Sequence, residues 1–196
     1  MFKKLLPLLA ILVLAACSLD PTTPDSDFTR PIGQEPLSLK VRSIDVVSEF
    51  TPTFTRPHIE HLLPISIERN ARTWARENLE AADPSSPYTA TFVIKDASMT
   101  ENIEQSSSFL RRDQAVYKAT LSVVLRIADS TTLSLSEASI TAWKELSIPA
   151  NLSIDRREAF WNKMINDMLI SFNEAMRKSA QQNLSQYING SPAVQQ

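Results

Sequence analysis

The sequence predicts an α+β domain in which a four-stranded, mostly antiparallel sheet carries two helices on one face, in the order β-α-β-β-β-α. Three observations predict it. Between residues 117 and 127, Tyr117, Ala119, Leu121, Val123, Leu125 and Ile127 alternate with Lys118, Thr120, Ser122, Val124 and Arg126, the period of a strand with one buried face. Two other segments carry apolar residues at helical spacing with a single apolar stripe each, so both should lie on one face of a sheet. The later strands follow one another directly, for which an antiparallel meander is the economical topology.

Each element has its own local signal. Leu37 to Phe50 is rich in strand formers, and its apolar phase shifts between Val41 and Ile44, which suggests a bulge or a strand with both faces partly covered. Ser66 can cap a helix carrying Ile67, Ala71, Trp74, Ala75, Leu79 and Ala82, with Asp83-Pro84 as the stop. On that helix Arg69, Arg72 and Arg76, mixed with Glu68, Glu77 and Glu80, read as a solvated side. From Tyr88 to Met99, Ala90, Phe92 and Ile94 share one face and Thr89, Thr91 and Val93 the other; a polar loop is expected from Thr100 to Asp113. Asp96 has the parity of Phe92 and should point toward the helices, where it would bond backbone amides at the strand end. The run Thr132 to Glu145 changes phase between Leu135 and Ala138, again suggesting a bulge. The last helix is expected from Arg156 to Ile188, started by a capping-box-like Asp155 and Glu158 and closed by Asn189-Gly190. Its stripe is Trp161, Met164, Ile165, Met168, Leu169, Phe172, Ala175 and Met176, and the polar stretch Ser179 to Asn183 is where it would fray.

Ahead of the domain, Lys3 and Lys4 precede an apolar run from Leu5 to Leu14 and then Leu14-Ala15-Ala16-Cys17. The run is about half the roughly 20 residues of a membrane span, and the small residues suit a cleavage site. The pattern resembles the lipobox of bacterial lipoprotein precursors. That resemblance implies a signal peptide over residues 1–16, acylation of Cys17 and anchoring through more than one fatty chain, which holds a protein on a membrane nearly permanently. Ser18 follows the cysteine where an aspartate would retain the protein at the inner membrane, so the implied location is the periplasmic face of the outer membrane. Residues 17–36, rich in Pro, Thr, Asp and Ser, read as a tether; residues 37–190 form one domain, and 191–196 a disordered tail.

Composition excludes several chemistries. Cys17 is the only cysteine, so a lipidated chain has no thiol left for disulfides, catalysis or metal ligation. Two of the 20 Lys and Arg fall in residues 1–16, which hold no acid, so the mature chain carries 18 basic groups against 22 acidic ones. Nothing in that balance suggests nucleic acid or an electrostatic grip on anionic lipid. The two glycines, Gly33 and Gly190, flank the domain, which leaves it without a phosphate-cradling loop, a dinucleotide fingerprint or a nucleophile elbow. His58 and His61 are the only histidines; their spacing is one residue short of an inverted zinc-protease motif, and Pro57 and Pro64 oppose a helix there. No metal, cofactor or catalytic residue is expected.

The face of the sheet left open by the helices is the candidate site. It should carry Thr91, Val93, Thr120, Ser122, Val124, Thr141 and Trp143, with Lys95, Lys118 and Arg126 around them. Trp143, Val124, Val93, Thr91 and Thr120 are the expected partner contacts, because tryptophan is a favoured hot-spot residue and threonine is readily desolvated in part. A phase error of one residue would instead put Trp143 in the core.

A lipobox, a short tether and β-α-β-β-β-α with a long last helix together resemble the lipopolysaccharide-assembly lipoprotein family, whose members plug the outer-membrane translocon barrel. The outline is also similar to lipoprotein activators of peptidoglycan synthases and to auxiliary lipoproteins of lipid transporters. The glycine and aromatic residues that follow the cysteine in the lipopolysaccharide-assembly family are replaced by Ser18-Leu19-Asp20, so Cys17 alone is carried over. The resemblance implies a non-catalytic assembly or accessory factor docking on an envelope protein. Two alternatives stand beside it: a carrier holding a lipid or glycolipid between sheet and helices, and a hydrolase using carboxylates such as Asp96 and Glu101.

Overall fold

The unbroken alternation around Leu121 becomes β6 (Gln114–Asp129), the strand on which the rest of the sheet is built. The structure, a computed structural model, describes residues 34–107, 112–132 and 134–189. On one side β6 pairs antiparallel with β7 (Leu135–Pro149) in a single register from Ala128↔Leu135 to Gln114↔Pro149. On its other side it pairs with β4 (Tyr88–Asp96) and then β5 (Met99–Glu104), which follow each other along the same edge. β2 (Ile44–Ser48) adds to β4 in parallel. β4 and β5 thus act as one interrupted strand, and the sheet has the expected four-strand width.

Both helices pack on the same face. α1 (Ile67–Asn78) sets Trp74 against Phe92 of β4, ring centroids 5.6 Å apart, and against Phe172 of α2 (Ile154–Asn183), 5.0 Å away. Farther along α2, Trp161 meets Tyr117 of β6 edge-on at 5.4 Å. Phe92, Tyr117, Leu121 and Leu125 all belong to the buried parity of their strands, so sheet and helices share one core. That core also holds Trp74, Phe172, Met168 and Met176, and their side chains fill the space between sheet and helices.

The structure corrects several boundaries. The phase shift between Val41 and Ile44 marks a break, not a bulge: β1 (Leu37–Leu39) ends before it and pairs in parallel with β3 (Leu79–Ala81). Leu79 therefore belongs to a strand that follows α1 directly, and the helix stops at Asn78, well short of Asp83-Pro84. Part of the expected loop after Met99 is β5, because its backbone groups find β6. The expected bulge in β7 is absent; Ala138, Ala142 and Ile148 take the inward positions and Ile140 and Leu146 pack partly beneath α2. The bulge that does occur lies in β4, where the register shifts between Ile94 and Asp96 and sets Asp96 opposite Ser122 on the uncovered face. Asp96 still accepts from the Ser98 amide at 3.0 Å, as a strand-end carboxylate should. Ser153, not Asp155, caps α2, and its side chain makes no capping hydrogen bond. The helix ends at Asn183, inside the polar stretch, and spans about 45 Å at 1.5 Å per residue.

A polar network that periodicity does not reveal joins the helices to the entering chain. The buried Trp74 Nε1 donates to Asn173 Oδ1 (3.0 Å), and Asn173 Nδ2 donates to Gln34 Oε1 (3.1 Å). Arg177 donates to Asn78 Oδ1 (3.2 Å) and to the Glu35 carbonyl (2.8 Å). The far end of the domain meets the same segment: Lys40 N donates to Tyr187 O (2.7 Å), Asn189 N donates to Ser38 O (3.0 Å), and Leu39 bridges Ile188.

Candidate docking surface

Register decides what the uncovered face looks like. Val47, Val93, Val124 and Ser139 form one cross-strand row, and Asp45, Thr91, Arg126 and Glu137 the next. Long charged side chains connect over this half of the face: Glu49 pairs with Lys95 and lies 3.9 Å from Arg126, whose Nε donates to Glu137 at 2.6 Å. The Lys95 hydrogen bond and the two cations hold the Glu49 carboxyl below its usual range, so the lattice stays charged at neutral pH. Beneath it Val93 is 1% exposed and Val124 9%. Neither α1 nor α2 packs on this face.

The other half of the face is open. Trp143 stands opposite Thr120 and is 61% exposed, with Lys118 Nζ 5.5 Å from its ring centroid. Ser122 and Thr141 share a hydrogen bond of 2.9 Å beside it. Thus the five expected contact residues separate: Thr120 and Trp143 lie in the accessible half, whereas Thr91, Val93 and Val124 sit in the charged half and the two valines offer little area. A tryptophan over a threonine-lined sheet presents a large apolar plane with few polar groups to desolvate. Cys17 lies outside the described residues.

Glu101, a candidate carboxylate of the hydrolytic reading, sits in a network of hydrogen bonds and ion pairs at the end of the sheet where β5 lies. Glu101 is buried, accepts from Tyr117 Oη at 2.6 Å, pairs with Arg56 and lies 3.6 Å from Arg157 Nη1. Burial pushes its carboxyl up, but the hydrogen bonds from Tyr117 and Arg56 and the two cations outweigh burial and hold it below the usual range. Burial and the same Glu101 contact push the Tyr117 hydroxyl up to about 12. Arg157 also donates to the Ala150 and Leu152 carbonyls, at 2.8 and 3.1 Å, which ties the turn before α2 to this cluster. At the opposite end of β6, Thr131 and Thr132 donate to Asp129 and lower its carboxyl to about 2. The spacing of these groups along the chain gave no hint, since Glu101 reaches Arg56 and Arg157 only through the fold.

The histidines do not converge. His58 bridges to Thr100 of β5, and His61 packs its ring on Phe54 at 5.3 Å. Among the described residues, no group of three or more His, Cys, Asp or Glu is arranged to hold a metal ion. Along the free edge of β7, Pro149, Leu152, Ala159 and Phe160 line an open apolar groove of about 580 Å³, rimmed by Arg156 and Lys163. No described helix is long and apolar enough to cross a membrane.

No protein-family model matches the chain, and no curated protein matches it either. Solved structures with a similar outline include a minor lipoprotein from Acinetobacter baumannii, at 11% identity and a TM-score of 0.37 over 80% of this chain and 100% of that one. Another is the rare lipoprotein B from Shewanella oneidensis, at 8% identity and a TM-score of 0.37 over 74% and 98%. A third is a Xanthomonas campestris protein of the DUF330 family, at 11% identity and a TM-score of 0.32 over 78% and 96%.

Proposed function

We propose that this chain is an envelope lipoprotein, cleaved before Cys17, anchored by acyl chains on that residue at the periplasmic face of the outer membrane, whose domain serves as a non-catalytic assembly or accessory factor. Lipopolysaccharide transport is the pathway its outline fits. The observation that carries the anchor is the sequence itself: Lys3-Lys4, the Leu5–Leu14 run and Leu14-Ala15-Ala16-Cys17 in succession. The observation that supports docking is Trp143, left 61% exposed on a sheet face that neither helix covers. The carboxylates open to a hydrolytic reading hold other jobs: Glu101 neutralises two arginines and Asp96 caps a strand end.

A lipid or glycolipid carrier is the second reading. The Phe160 groove offers its ligand an apolar surface, while aromatic and aliphatic side chains occupy the space between sheet and helices. Affinity purification of the lipidated chain from membranes separates the two. An envelope protein that co-purifies with the native chain and is lost with Trp143→Ala supports docking, whereas bound lipid lost on Phe160→Glu, with no protein partner, supports the carrier.

A further inference from the structure

The amino half of α2 carries an apolar strip that the sheet does not cover. The groove of about 580 Å³ beside β7 runs along it, and Phe160 is 42% exposed there. The larger groove continues toward the middle of the helix as a hollow of about 180 Å³, to which Leu146 and Met164 contribute and which shares Phe160 and Lys163 with it. The lining of the larger groove holds two cations, Arg156 and Lys163, and no acid. Lys163 pairs with Asp167 at 3.0 Å, whereas Arg156 has no ion-pair partner among the described residues.

The described chain begins beside the same helix. Asn173 Nδ2 donates to Gln34 at 3.1 Å and Arg177 to the Glu35 carbonyl at 2.8 Å. From Asn173 to Phe160 is about 20 Å along α2, and the residues from Phe28 to Gln34 extend to roughly 20 Å. Arg156 lies about 25 Å from Asn173, and the residues from Asp25 to Gln34 reach roughly 30 Å. Between Ser18 and Phe28 the chain holds Asp20, Asp25 and Asp27 and no basic residue. Asp25-Ser26-Asp27-Phe28 therefore offers an aromatic ring behind two carboxylates, and the groove an apolar floor beneath two cations.

We infer that Asp25-Ser26-Asp27-Phe28 folds back onto this groove as a strap, with Phe28 on Phe160, Asp27 toward Lys163 and Asp25 toward Arg156. The inference goes beyond the proposed function and does not need acylation of Cys17. Aromatic pairs gain more than their burial alone, while exposed ion pairs contribute little each, so a free peptide of this sequence would bind weakly. The strap belongs to the same chain, and a short linker holds it at an effective concentration on the order of millimolar, where weak contacts close. On a chain anchored at Cys17, docking shortens the free span from roughly 58 Å, measured to Gln34, to roughly 37 Å, measured to Phe28. It also places the strap in competition with any lipid that enters the groove.

The test uses the chain from residue 17 onward with Cys17→Ser, so that an introduced pair supplies its only thiols. Under mild oxidation Ser26→Cys with Ala159→Cys should close an intramolecular disulfide at least tenfold faster than Ser26→Cys with Asn166→Cys, after correction for each thiol's rate with a small disulfide. Ala159 and Asn166 are both exposed on α2, and Asn166 is nearer to Asn173, which makes it the easier target for an undocked segment. Phe28→Ser or Arg156→Glu should remove the difference, and Asp25→Lys added to Arg156→Glu should restore it. Equal rates for the two pairs overturn the inference, and equal rates with co-purified lipid overturn it in favour of the carrier. Disulfides that join two chains, at a rate rising with protein concentration, overturn it in favour of a second copy in the groove. No arm carries an acyl group, so failure here leaves the lipoprotein reading intact.

Discussion

Trp143 and Phe172 are both large aromatics, yet truncating them should have different consequences. Phe172 packs on Trp74 and Phe92 in the core, so Phe172→Ala is expected to cost about 2–5 kcal/mol by urea unfolding. Trp143→Ala should change stability by less than about 1 kcal/mol and weaken partner capture instead. Tyr117 supplies a pH signature. Its hydroxyl sits at about 12 in the fold, above the roughly 10 of an unfolded tyrosine, so its contribution is complete below pH 10 and is lost as pH rises toward 12. Unfolding free energy measured from pH 9 to 12 should therefore fall more steeply in the native chain than in Tyr117→Phe. Asp129 works in the other direction: its folded value of about 2 lies below that of a free aspartate, so its contribution is present above pH 4 and fades as pH drops to 2.

The two helix starts look alike in sequence and differ in what they contribute. Ser66 Oγ accepts from the Arg69 amide at 3.1 Å, so Ser66→Ala should cost about 0.5–2 kcal/mol. Ser153 makes no side-chain cap, and Ser153→Ala should be nearly silent in the same unfolding assay. Strand and helix existence was legible because burial imposes a period, and β6 and the Trp161–Met176 stripe carry that period strongly. Boundaries were not, because long-range partners decide them. Leu79 leaves the helical pattern because β1 pairs with it, and Met99 to Glu104 extend because β6 is long enough to hold them. In β7 the apparent change of phase was only Leu135 lying on the uncovered face at the strand's start, so Trp143 kept its outward place. For the docking face, alternation identified the residues that share it; it could not foresee Glu49 pairing with Lys95 and Arg126 across one half of it.

For the molecule as a whole, the anchor prediction is direct: Cys17→Ser should leave an unlipidated form that is no longer anchored through acyl chains, and a variant that fractionates and migrates just like the native protein would rule out acylation as the anchor. The domain is built from one shared core, and its fold closes between β1 and the residues after α2. Leu39 bridges Ile188, and Ser38 accepts from Asn189, so the first strand of the domain is completed by residues that follow α2. This imposes an order of events during synthesis. β1 can pair with β3 once α1 has been made, but its contacts with residues 187–189 wait until α2 is complete. Only when residues 187–189 arrive is that end of the domain closed, so a chain truncated after Asn183 would leave β1 without its partners there.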